Sequence, residues 1–248
     1  MYLYAITNQP EEPVPPEPGL EGASLLSLAY QDIAAVASPL TIVEVPPTED
    51  NLWRHETIVE ALMADRTVLP VRFGTVLADE AAIRAVLAAH HTDFVANLER
   101  VRGRVELGLR VLWISDFRFP IFDCRLPITQ SQIENRKSKI ASGRAYLMAR
   151  LEEEHQRQAW RQRAEALVAE LHTPLAQLAT ESTRQVLITP RLLLTAAYLV
   201  ERDQVAAFRQ EVEVLSAAYL TLRFLCTGPW PPYNFVSRFP IDDLRFSI

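Results

Sequence analysis

The amino-acid sequence predicts an α+β protein of two domains. Three observations carry this. Arg104–Ile114 alternates well, with Val105, Leu107, Leu109, Val111 and Trp113 on one side and Glu106 and Arg110 on the other, as a half-buried strand requires. Two amphipathic helices precede it. Between residues 191 and 226 an apolar run, a helical pattern and a second apolar run follow one another as a strand–helix–strand unit. The first domain is then 1–116, sheet material covered by two helices. Residues 117–139 read as an inserted linker, and 140–248 as long helices plus a ferredoxin-like unit and a tail.

The elements follow in order. Tyr2–Thr7 is apolar and β-branched, hence a strand. Pro10–Pro18 carries five prolines and three glutamates, a stiff extended loop. Ser24–Ala37 holds two apolar runs parted by Gln31 and Asp32, a hairpin, and Thr41–Val45 reads as a further extended piece. Pro46 and Pro47 stop it. Thr48 then caps a helix with Glu49 and Asp50 in its first turn, where carboxylates suit the helix dipole. That helix runs to about Arg66 with Leu52, Val59, Leu62 and Met63 on its apolar face. His55 lies among them, as a hydrogen-bonded core residue rather than a ligand. Thr67–Leu77 (TVLPVRFGTVL) is extended but interrupted by Pro70 and Gly74. Asp79 caps a second helix, expected to run unbroken to about Val101 with Ile83, Leu87, His90, Phe94 and Leu98 on one face. The adjacent His90 and His91 point apart and make no metal pair.

Asp116–Lys139 breaks the pattern. It contains both lysines of the chain, Lys137 and Lys139, while arginine supplies every other such basic side chain. From Ile140 to His172 the pattern is helical, but its apolar stripe changes side. Ile140, Leu147 and Leu151 lie on one side and Trp160, Leu167, Val168 and Leu171 on the other, with a polar stretch between. Pro174 is expected to end this helix and, with Thr173 as cap, to start another to about Ser182. Gln185–Thr189 and Arg191–Val200 are strands. A helix follows with Val205, Phe208, Val212 and Leu215 facing the core, and then the strand Tyr219–Cys226.

The stretch Gly228–Val236 (GPWPPYNFV) is the densest segment of the chain. Three prolines forbid a helix, and Trp230, Tyr233 and Phe235 put three rings on a stiffened backbone. Such a segment is either a structural corner or a contact surface with little ordering entropy left to lose on binding. Its place directly after the last strand favours the corner. The prolines and Trp230 are expected to lock it, leaving Tyr233 and Phe235 as the side chains open to a partner.

The chain of 248 residues has a net charge of −6, which gives no general attraction to nucleic acid or to an anionic lipid membrane. Its two cysteines, Cys124 and Cys226, make neither a disulfide framework nor a metal motif. The N-terminus has neither the basic start nor the apolar run of a signal peptide, and a cytoplasmic protein is expected. No nucleophile elbow, phosphate loop, dinucleotide fingerprint or zinc-protease motif occurs. Catalytic residues, a cofactor and a metal are therefore not expected; an enzyme with a scattered site is the alternative in that class.

Four segments together carry a resemblance. They are the opening MYLYAI, the stretch HETIVEALMADRTVLPVRFGTVL from His55 to Leu77, SGRAYL from Ser142, and LTAAYLVERDQVAAF followed later by GPWPPYNFV. With them the chain resembles the gas vesicle protein F/L family, accessory proteins of gas vesicle formation, over all but 117–139 and the last dozen residues. The resemblance implies a two-domain, non-enzymatic protein associated with the gas vesicle, a hollow cytoplasmic protein shell. It implies as partners the small, apolar major shell protein and other gas vesicle accessory proteins. Trp230, Tyr233 and Phe235 are then a signature of contact or structure rather than an active site. A ferredoxin-like regulatory scaffold is the remaining alternative.

Overall fold

The computed structural model describes residues 1–42, 44–114, 139–186 and 191–236, with side chains placed in all of these but 139–145 and 153. Two four-stranded sheets organise it. The first, in the order β2-β3-β1-β4, is built from β1 (Tyr2–Thr7), β2 (Leu26–Tyr30), β3 (Ile33–Ser38) and β4 (Val68–Pro70). The expected hairpin is β2–β3, closed at Gln31 and Asp32 with Tyr30 opposite Ile33. Gln31 takes φ 53° there.

Both faces of this sheet are covered. Tyr2, Tyr4 and Val36 pack on α1 (Glu49–Asp65) through Ile58, Val59 and Leu62. Thr48 caps α1, accepting from the Asn51 N–H at 3.3 Å. On the other face Leu3, Ile6 and Ala35 meet α2 (Glu80–Ala89) and α3 (His91–Val101). Asp79 caps α2 as expected.

Four expectations for this half are corrected. The second helix is two, parted where His90 adopts φ −120° and ψ 20°. The apolar positions 83, 87, 94 and 98 keep one helical phase across that break, so periodicity alone does not show it. Leu52 is 41 % exposed and does not join the core face of α1. None of the described residues of Thr41–Val45 is in a strand. The Thr41 N–H instead donates to the Glu21 carboxylate at 2.8 Å, which removes it from any ladder.

The fourth correction concerns β5 (Arg104–Trp113), expected in the first sheet. It is a central strand of the second, whose order is β6-β7-β5-β8. The others are β6 (Glu181–Val186), β7 (Leu192–Glu201) and β8 (Leu222–Trp230). Both β7 and β8 run antiparallel to β5, so they are parallel to each other with β5 between them. With α4 (Lys139–Gln177) and α5 (Val205–Ala218) the order β5–α4–β6–β7–α5–β8 is a complete ferredoxin-like unit. The ferredoxin-like expectation thus holds, but its first strand comes from before the 117–139 segment. That segment lies outside the described residues save for Lys139, which opens α4, and so do the tail residues 237–248.

Leu107, Leu109, Tyr198, Val200 and Phe208 form the core under α4 and α5. Ala197 and Leu199, on the opposite side of β7, join the core of α2 and α3, so β7 is buried on both faces as its apolar run implies. The helix α4 is not interrupted at Pro174. Thr173 is no cap; its hydroxyl donates to the Ala169 carbonyl at 2.7 Å. Leu171 and Leu175, fully buried on the sheet, hold the helix across the proline. β6 consequently starts at Glu181, inside the span expected to be helical. Along 146–151 α4 lies outside the cores, with Tyr146, Leu147, Met148 and Leu151 all more than half exposed.

Candidate functional site

The aromatic-proline segment leaves β8 through a bulge. Gly228 has φ 107°, and a Cβ there would lie 2.6 Å from the Glu106 carbonyl oxygen, so only glycine fits this close approach. The Gly228–Pro229 peptide is cis. Pro231 and Pro232 are buried and their carbonyls accept from the Tyr233 and Phe235 N–H groups, which curls the chain back on itself.

The expected roles of the three rings are reversed. Phe235 is only 4 % exposed and enters the core shared by α2, α3 and β7. Trp230, expected to be the lock, is 39 % exposed. Tyr233 is half-buried, and its hydroxyl donates to Glu56 Oε1 at 3.1 Å. Asn234 ties the segment to β5: its N–H and Nδ2 donate to the two oxygens of Glu106 at 2.8 and 2.6 Å.

One hydrogen-bond chain joins three of the four sequence signatures. The Gly74 N–H donates to the Tyr2 hydroxyl (3.1 Å), which donates to His55 Nδ1 (2.9 Å). His55 Nε2 donates to the Val71 carbonyl (3.1 Å) and lies 3.3 Å from the Tyr233 hydroxyl. The opening strand, the helix containing His55, the LPVRFGT turn and the terminal segment therefore meet at one imidazole. Tyr4 stacks on this ring and Phe73 meets its edge. Burial holds the imidazole neutral, lowering its pKa to about 4 although the Val71 bond pulls the other way. The expectation of a core histidine holds.

Outside this knot lies a cleft of about 710 Å³ between α1 and the end of β8. Leu52, Trp53 and Trp230 line it with apolar surface, and Trp53 is 65 % exposed. Glu49, Glu56, Glu60 and Glu106 surround them. Burial pushes the Glu56 carboxyl up, partly offset by the Tyr233 bond, and neighbouring Glu60 adds to the rise. Burial also pushes the Glu106 carboxyl up, against the two Asn234 bonds. Trp53 and the acidic groups escape a reading based on the apolar face of α1. The signal is nevertheless present: positions 49, 52, 53, 56 and 60 fall on one helical stripe, and a tryptophan on that polar stripe has no core to fill.

Among the described residues no group of three or more His, Cys, Asp or Glu could hold a metal, and the Ser182 hydroxyl, 3.4 Å from His172 Nε2, does not line this cleft. Glu106 commits both oxygens to Asn234. The arrangement offers an apolar, aromatic contact surface with a negative rim.

A family model described as gas vesicle synthesis protein GvpL/GvpF matches residues 1–237. Gas vesicle protein L of a Streptomyces species is 34 % identical over 257 residues, covering 94 % of this chain and 91 % of that protein. Gas vesicle protein F1 of Halobacterium salinarum is 25 % identical over 240 residues, covering 95 % and 92 %. The crystal structure of GvpF from Anabaena sp. PCC7120 shares the fold with a TM-score of 0.75 at 21 % identity, covering 95 % of each chain.

Proposed function

The chain belongs to the GvpL/GvpF family of gas vesicle synthesis proteins, and we propose that it acts without catalysis, binding the apolar major shell protein or other accessory proteins while the vesicle is assembled. The observation that supports this reading is the cleft beside the His55 junction. Leu52, Trp53 and Trp230 expose apolar surface there, on a backbone fixed by the Tyr233–Glu56 and Asn234–Glu106 bonds. Fixed aromatic groups bind with little ordering cost. A small apolar subunit needs its surface covered before it polymerises, or it aggregates.

The location proposed is the cytoplasm, at the growing vesicle. No helix among the described residues is long and apolar enough to cross a membrane. Trp230 serves as a contact residue in this reading, Tyr233 and Phe235 as the residues that fix it in place. The two raised carboxyls are what an acid–base site would also show. Here burial accounts for both rises, with Glu60 adding to that of Glu56, and the internal hydrogen bonds oppose them.

Deleting the coding sequence and restoring it with the parent or a Trp53→Ala/Trp230→Ala variant tests the proposal. The parent is expected to restore vesicles and the variant to restore few. Normal vesicles in the deletion strain would overturn it.

A further inference from the structure

We infer that the cleft between α1 and the end of β8 receives a basic side chain set among apolar ones, on a segment of the shell subunit; this rests on the shell-binding reading above. Two properties of the cleft argue for that chemistry together. Its walls are aromatic and aliphatic, with Trp53, Trp230 and Leu52 all presented to solvent. Its charged groups are all acidic: Glu49, Glu56 and Glu60 project from one stripe of α1, and Glu106 closes the inner end at 6 % exposure. Among the described residues none of the lining side chains is basic.

A purely apolar occupant would strip water from these carboxylates and return nothing. An acidic one would be repelled. A guanidinium or ammonium group satisfies the rim, and its alkyl stem and apolar neighbours cover the tryptophans. An indole face also attracts a cation directly. The Glu56 carboxylate, disfavoured by burial and by neighbouring Glu60, gains most from such a counter-charge. A bare metal ion does not fit, because the described carboxylates do not converge as a ligand set.

The test uses the full chain and two blocked seven-residue peptides of leucine and alanine, one with a central arginine and one with glutamate there, titrated calorimetrically. The arginine peptide is expected to bind about tenfold more tightly, with the difference shrinking in salt. Trp53→Ala, and separately Glu49→Gln/Glu60→Gln, are expected to weaken it about fivefold to tenfold, with the melting temperature unchanged. Equal affinity for the two peptides, or variants that bind as the parent does, would overturn the inference. The chain's own tail, which carries Arg238 and Arg245, is the rival occupant. An Arg238→Gln/Arg245→Gln variant is expected to bind the peptide as the parent does; a tenfold gain would assign the cleft to the tail and overturn the inference.

The variants also separate this idea from the reading beneath it. If the parent retains the shell subunit and the Glu49→Gln/Glu60→Gln variant retains it equally, the cleft assignment fails and shell binding stands. If the cleft takes the arginine peptide but the parent does not retain the subunit, shell binding fails, and with it the subunit as occupant.

Discussion

Replacing Phe235 by alanine should destabilise the protein far more than replacing Trp230, although tryptophan is the larger ring. Phe235 is 4 % exposed and packs in one core with Leu3, Ile83, Leu87, Phe94 and Leu199, which belong to both sheets and to the helices between them. Removing the phenyl group leaves a closed apolar cavity, at a cost of about 3–5 kcal/mol. In a chain of this size each kcal/mol shifts the melting temperature by about 2–4 °C, so the expected fall is about 6–20 °C. Trp230 is 39 % exposed and faces an open cleft. Its removal leaves no closed cavity and should cost roughly 1–2 kcal/mol, or about 2–8 °C. Phe235→Leu keeps most of the volume and should cost under about 1.5 kcal/mol. Thermal unfolding of the three purified variants followed by circular dichroism checks the order. A Trp230→Ala variant that melts at or below Phe235→Ala would refute the assignment of the anchor.

Burial lowers the His55 pKa from 6.5 to about 4, so the unfolded chain binds its proton first as pH falls. The stability contributed by the neutral imidazole is complete above pH 6.5 and is lost as pH falls toward 4. Between about pH 7 and pH 5 the loss should be about 2 kcal/mol, and a His55→Gln variant should lack that part of the slope in denaturant titrations. Tyr233→Phe removes the hydroxyl shared with Glu56 and His55 and should cost about 1–3 kcal/mol, and a double-mutant cycle with Glu56→Gln should show a coupling above about 0.5 kcal/mol. Exchanging 117–138 for a glycine–serine linker of equal length should leave the melting temperature within about 2 °C, as expected of an inserted linker.

Local patterns made much of the fold legible. The β2–β3 hairpin, the Thr48 and Asp79 caps and the core face of α5 all depend on residues within a few positions of one another, so composition and spacing reveal them. What was hidden depends on distant partners. Arg104–Trp113 alternates correctly for a strand, but nothing inside it says that its neighbours are Leu192–Glu201 and Leu222–Trp230. Pro174 lacks an N–H, which argued for a break, yet Leu171 and Leu175 are seated on the sheet and keep the helix going.

The site shows the same division. Gly228–Val236 stood out by its prolines and rings. Which ring is anchor and which is surface is decided by the other sheet and by α1, so Phe235 and Trp230 exchanged roles. Trp53 stands out in the sequence only as a tryptophan on a polar stripe; that it lines a cleft follows from Trp230 at the end of β8, which shares that cleft. The His55 network was legible only in part, since its partners Tyr2, Val71 and Tyr233 come from three separate segments.

The most direct measurement of the account is co-elution of the purified protein with the major shell protein in size-exclusion chromatography, with light scattering to follow aggregation of the subunit. The parent is expected to carry the subunit in a soluble complex, and the Trp53→Ala/Trp230→Ala variant to release it while still folding, with a melting temperature about 2–8 °C lower. Separate elution of parent and subunit, with the subunit aggregating as it does alone, would contradict the account.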